Sequence, residues 1–180
     1  MKSSYLAAIV AAFLFSLVPS VQARAASKAD VYFGYSRVGA NLFAPNTSGM
    51  NGWQAAVHVK AISIFGAEGD LSRYSQSPSG FSEHVTNVMF GPRATLGLAG
   101  FSVFAHALVG VAFQSATVTT FPSTSYTAGS LAVGGGADFP LFLGLKLRAT
   151  GDYLANSKSP SSGSAAPEHY RVGVGVAYHF

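Results

Sequence analysis

The last twelve residues, 169–180, alternate without a break between two unlike sets of side chains. Tyr170, Val172, Val174, Val176, Tyr178 and Phe180 fall on one side of an extended chain. His169, Arg171, Gly173, Gly175, Ala177 and His179 fall on the other. Successive side chains of a strand point to opposite faces, so a period of two sustained this long specifies a β-strand.

The same pattern recurs upstream. Val31, Phe33 and Tyr35 alternate with Asp30, Tyr32, Gly34 and Ser36, and Trp53, Ala55, Val57 and Val59 with Gln54, Ala56, His58 and Lys60. Glu68, Asp70 and Ser72 share one face; Val88 and Phe90 oppose Met89, Gly91 and Arg93. Leu145, Leu147, Ala149 and Tyr153 oppose Lys146, Arg148, Thr150 and Asp152. Turn-forming clusters at 45–49, 77–80, 122–125 and 157–167 punctuate these runs. The sequence therefore predicts eight strands, over 30–41, 52–62, 65–75, 83–96, 102–115, 127–139, 143–155 and 169–180. Connections near Ser63-Ile64, Gly97–Gly100 and Pro140–Phe142 are short; those near 42–51, 76–82, 116–126 and 156–168 are longer.

Alternation alone fits a soluble barrel as well as a membrane one, and the composition of the two faces decides between them. A soluble strand shows water a face of Lys, Glu, Thr and Gln. The less apolar face of the last strand is instead Arg171, Gly173, Gly175 and Ala177, which suits a cramped interior. Its other face, three valines bordered by Tyr170, Tyr178 and Phe180, suits an apolar band between aromatic girdles. Strands of about 10 residues with alternating short and long connections complete the pattern of an outer-membrane barrel. The expected fold is all-β: an eight-stranded antiparallel up-and-down transmembrane β-barrel. An unpaired backbone group in hydrocarbon costs several kcal/mol, so the first strand must pair with the last.

Most strand charges then point inward: Glu68, Asp70, Arg93, Asp138, Lys146, Arg148, Asp152 and Arg171. Four carboxylates face four bases, and buried charges must be paired. These eight residues are expected to form an ion-pair network that plugs the lumen, with contacts from Arg93 or Arg171 to Glu68 or Asp70.

Only 10% of residues are charged, against about 25% in ordinary globular proteins. The thin spread of Lys and Arg argues against a nucleic-acid partner despite a net charge of +4. With no cysteine there is no disulfide framework and no thiolate metal site. Residues 1–23 combine Lys2, an apolar stretch from Tyr5 to Val18, the break at Pro19-Ser20 and the small-residue site Val21-Gln22-Ala23. That layout predicts a helical signal peptide cleaved after Ala23, with Ala25 as a second site, and a barrel domain over 24–180.

The stretch 134–141, the residues Leu147-Arg148 and Asp152-Tyr153-Leu154, and the final strand 171–180 resemble small bacterial outer-membrane β-barrel proteins of the OmpA-like type. Asn51-Gly52-Trp53, Gly69-Asp70, residues 90–93 and residues 104–110 fit the same likeness, which spans nearly all of 30–180. The resemblance implies a bacterial outer-membrane location, contact with membrane lipid and lipopolysaccharide, and a porin-like or structural role. It also implies that Phe180, with Tyr178 and Val176 on the same face, serves as the C-terminal signal read by the barrel-assembly machinery. The chain departs from larger OmpA proteins in ending at the barrel, so cell-wall tethering is not implied.

Other motifs carry less. His58, His84, His106, His169 and His179 lack close metal-binding spacing and read as structural lumen or interface histidines. No serine-nucleophile signature appears, and the His-x-Ser pair of lipid A deacylases is missing, His84-Val85-Thr86 being its nearest imitation. Gly134-Gly135-Gly136 reads as close packing within a strand rather than a phosphate loop, since no Lys-Ser or Lys-Thr follows. Arg73 and Lys158 read as solvated loop charge, with contact to lipopolysaccharide phosphates as the other reading. Residues 94–137 hold no Asp, Glu, Lys or Arg, and Leu96–Phe113 is apolar enough for a membrane helix. Its glycines, its central His106 and its strand-like flanks favour the barrel. The expectation is a monomeric, cofactor-free, non-enzymatic surface or structural protein. A narrow channel for small solutes is the first alternative and a lipid-modifying enzyme the second.

Overall fold

The computed structural model describes residues 29–39, 49–76, 81–118, 121–157 and 169–180. The expected signal peptide lies outside them. Eight strands are present: β1 (Ala29–Gly39), β2 (Met50–Ile62), β3 (Phe65–Gln76), β4 (Phe81–Leu98), β5 (Phe101–Val118), β6 (Phe121–Pro140), β7 (Leu145–Asn156) and β8 (His169–His179). Each pairs antiparallel with its chain neighbours, and β1 pairs with β8, so the sheet closes into a barrel. Among the described residues no helix is long and apolar enough to cross a membrane, and Leu96–Phe113 belongs to β4, β5 and the turn between them.

One connection differs from the sequence reading. The longer loop expected over 116–126 is mostly strand: β5 runs on to Val118 and β6 begins at Phe121. Phe113, Gln114 and Ser115 continue the ladder opposite Thr127, Tyr126 and Ser125, with an irregularity between Ala116 and Val118. The Tyr126 hydroxyl donates to Gln114 Oε1 across it. Thr, Tyr and Phe favour strands, and Pro122 stands next to the first residue of β6, near a strand start, where a missing N–H is tolerated.

The seam depends on two glycines. Gly34 and Gly175 stand opposite each other across β1 and β8, and a Cβ on Gly175 would strike Gly34 Cα and the Phe33 carbonyl. Phe180 N–H donates to the Ala29 carbonyl at 2.9 Å and finishes that edge. At the barrel end that carries this bond, the β6–β7 turn places Leu143 and Gly144 at φ of 49° and 82°.

The two faces sort as alternation requires. Val174 is 49% exposed, whereas Arg171, on the opposite face of the same strand, is 0% exposed. Aromatic rings border the outer wall at both ends: Tyr35, Trp53 and Tyr170 at one, Phe65, Phe101, Phe139, Tyr178 and Phe180 at the other. Several pack on one another, as Phe101 does on Phe139 at 5.9 Å and Tyr178 on Phe180 at 4.9 Å. Large apolar side chains outside and arginines inside reverse the arrangement of a soluble protein.

Candidate functional site: the charged interior

The inward positions of seven strands build one continuous polar chain across the middle of the barrel. Arg171 on β8 donates from Nη1 to Asp70 Oδ1 at 2.9 Å and from Nε to Asp152 Oδ2 at 2.5 Å. The other Asp152 oxygen lies 2.7 Å from His106 Nε2, and His106 Nδ1 lies 2.9 Å from Glu68 Oε1. Glu68 Oε2 accepts from Arg93 Nη1 at 2.8 Å, and Arg93 Nη2 stands 3.5 Å from Asp138. Asp138 in turn takes both prongs of Arg148, Nε at 2.6 Å and Nη2 at 2.8 Å. Gln54 adds a donor to Asp70 at 2.6 Å from β2.

All eight charged or histidine members of this chain are buried. Their charges balance only with His106 included. Glu68, Asp70, Asp138 and Asp152 carry four negative charges, and Arg93, Arg148 and Arg171 carry three positive ones. Both ring nitrogens of His106 face carboxylate oxygens, which only accept, so the ring that satisfies both is the doubly protonated cation. It supplies the fourth positive charge.

The network therefore departs from the expected pairing in one respect. Lys146 points inward but joins a separate cluster at the barrel end that carries the Ala29–Phe180 bond, where its Nζ donates to Asp30 at 3.1 Å. His58 Nδ1 and His179 Nδ1 lie 3.2 Å and 2.9 Å from the same Asp30 carboxylate. Asp30 and His106, absent from the expected set, are thus central to the two clusters. The signal for both was in the sequence: each occupies the inward parity of its run. Glu68, Asp70, Arg93, Asp138, Arg148, Asp152 and Arg171 all meet in the middle.

Aromatic and apolar side chains fill what the ions leave. Arg93 lies over the Phe104 ring at 3.6 Å, with Arg148 5.0 Å from the same ring and 5.3 Å from Tyr32. Such faces stabilise guanidinium groups where water is excluded. Toward the opposite end, Val38, Tyr74, Met89, Leu108, Ala132 and Leu154 close into an apolar layer with Met50 against it. Among the described residues no group of three His, Cys, Asp or Glu is placed to hold a metal. Val176, Tyr178 and Phe180, the expected assembly signal, project together from the outer wall of the terminal strand.

The family model of the outer membrane protein beta-barrel domain matches residues 8–180. Among curated proteins, no sequence matches the chain. Of solved structures, Neisserial surface protein A is similar at a TM-score of 0.66 and 13% identity, over 85% of this chain and 96% of that one. Ail, the attachment invasion locus protein of Yersinia pestis, is similar at 0.59 and 16%, over 87% and 100%. It has also been solved in complex with the heparin analogue sucrose octasulfate. OprG of Pseudomonas aeruginosa is similar at 0.58 and 11%, over 86% and 96%. At such identities the likeness is one of fold.

Proposed function

The chain belongs to the outer membrane β-barrel family, and from that premise we propose a structural, surface-presenting barrel whose lumen is closed by its own side chains. The protein resides in the outer membrane. The observation that carries the reading is the filled interior: Arg93, Arg148 and Arg171 are at most 1% exposed, and Val38, Tyr74, Met89, Leu108, Ala132 and Leu154 form a buried apolar cluster beside them. A water-filled pore needs a polar wall open to solvent, whereas ions this well paired leave little for a permeating ion to replace.

On this reading residues 1–23 are removed on export, and the mature barrel works as a monomer. Val176, Tyr178 and Phe180 engage the barrel-assembly machinery, and the connections opposite the β2–β3, β4–β5 and β6–β7 turns meet the cell's surroundings. The loops and outer rim contact lipopolysaccharide and other anionic surface polymers, as the binding of a sulfated sugar by Ail suggests for a barrel of like fold. No catalytic centre or cofactor is proposed.

Single-channel recording of the full-length barrel in planar bilayers tests the closed lumen. Baseline current at moderate voltage is expected. A steady, large open conductance would replace this reading with that of a channel.

A further inference from the structure

All six side-chain carboxylates among the described residues, Asp30, Glu68, Asp70, Glu83, Asp138 and Asp152, occupy inward positions of their strands. On the outward positions of the described strands, Arg37 of β1 and Arg73 of β3 are the Lys or Arg residues. Both sit toward the barrel end away from the Ala29–Phe180 bond, and only β2 separates them. Arg73 stands opposite Trp53, which stands opposite Tyr35; one step outward, Arg37 stands opposite Asn51, Asn51 opposite Ser75, and Ser75 opposite His84. The Tyr35 hydroxyl donates to Asn51 Oδ1 at 2.6 Å. Neither arginine makes an ion pair among the described residues, and Arg37 Nε, packed against Gly49, is buried without a hydrogen-bond partner.

Two cations on a lipid-facing wall, without an ion pair among the described residues, are a cost unless something anionic meets them. The penalty for Arg on such a wall is about 2–4 kcal/mol at mid-membrane and close to zero at the interface, which is the level that Tyr and Trp mark. With strands about 4.8 Å apart, the two Cα atoms stand on the order of 12 Å from each other, within the reach of two long side chains toward one headgroup. Guanidinium groups pair with phosphate through paired hydrogen bonds, more strongly where water is scarce.

We propose that Arg37 and Arg73, with Trp53 between them, form a site on the outer wall for the phosphorylated headgroup of lipopolysaccharide in the outer leaflet. This deepens the surface-interaction reading above by naming the patch and the chemical group it takes. The occupant is the membrane's own phosphorylated glycolipid because the two arginines stand on the outer wall at the aromatic level, where lipid headgroups are the adjoining anions. Asn51, Ser75 and His84 border it with polar groups suited to sugar hydroxyls.

Trp53 is the sole tryptophan of the chain and reports the site directly. The full chain is folded into phosphatidylcholine vesicles and titrated with diphosphoryl lipid A, with the same lipid stripped of phosphate, and with phosphatidylglycerol. Trp53 emission is expected to respond to diphosphoryl lipid A at a mole fraction about tenfold below that needed for either other lipid. The Arg37→Gln/Arg73→Gln variant loses that preference, and Arg37→Lys/Arg73→Lys keeps part of it. Single Arg73→Gln, at an exposed position with no ion pair among the described residues, serves if the double variant fails to fold. An unchanged preference in a folded Gln variant, or equal responses to all three lipids in the wild type, overturns the site. Channel recordings are blind to this result, so failure of the closed-lumen reading and failure of this site are separately visible.

Discussion

His106 Nδ1 and Glu68 Oε1 stand 2.9 Å apart at the centre of the barrel, while the other face of the same ring meets Asp152. The imidazole is the hinge of the interior charge balance. His106→Leu leaves two carboxylates sharing one fewer cation in a dry environment, and breaking a buried pair in this way costs about 3–5 kcal/mol. The expected outcome is a lowered urea midpoint of unfolding in lipid vesicles, read from the gel mobility of unheated samples.

Arg93 bridges Glu68 and Asp138 and rests on Phe104. Arg93→Leu is expected to destabilise by a similar amount, at least about 3 kcal/mol. Adding Glu68→Gln removes part of the stranded charge, so the double variant should be no less stable than Arg93→Leu alone. A double-mutant cycle checks the coupling, and strict additivity would contradict the contact.

Lys146 provides the internal contrast. Its side chain is 22% exposed at the barrel mouth, and Asp30 keeps His58 and His179 as further partners. Lys146→Met should cost about 1 kcal/mol or less, in the range of water-screened pairs. A loss as large as that of Arg93→Leu would place Lys146 in the central network after all.

Gly175→Val addresses closure rather than charge. The new side chain meets the Gly34 backbone across the seam, and neither strand can move away without breaking the ladder. The variant is expected to yield no compact, heat-modifiable band, whereas Gly69→Ala, which meets nothing within 4 Å, should leave that band intact.

The turn at Leu143 is open to improvement. A left-handed backbone costs an L-residue with a Cβ about 1–2 kcal/mol, and Leu143 holds φ at 49° while 85% exposed. Leu143→Gly should therefore stabilise the barrel by up to about 1 kcal/mol, allowing for the entropy glycine gains when unfolded. Vesicle unfolding curves measure it.

The strands and the facing of each side chain were legible in the sequence because both walls of a narrow membrane barrel constrain what they accept. Val174 cannot trade places with Arg171 without setting a charge in hydrocarbon. Which ions pair was less legible. Parity places Lys146 and Arg148 on the same side, but only the height along the axis sends Lys146 to Asp30 and Arg148 to Asp138. His106 reads from the sequence as a structural lumen or interface histidine, but its place in the ion-pair network was not legible, because it depends on sharing inward parity with Phe104 and Leu108 in an otherwise uncharged run. The extension of β5 and β6 escaped because Pro122 and its serines read as a loop, while a proline near the start of a strand breaks little of the ladder.

The seam between Ala29 and Phe180 has a kinetic corollary. Its hydrogen bonds join the first strand to the eighth, so no partial assembly of early strands can satisfy its own edges in hydrocarbon, and closure waits on β8. A chain that lacks β8 is expected to remain an open, adhesive sheet, with the edges of β1 and β7 unpaired in hydrocarbon.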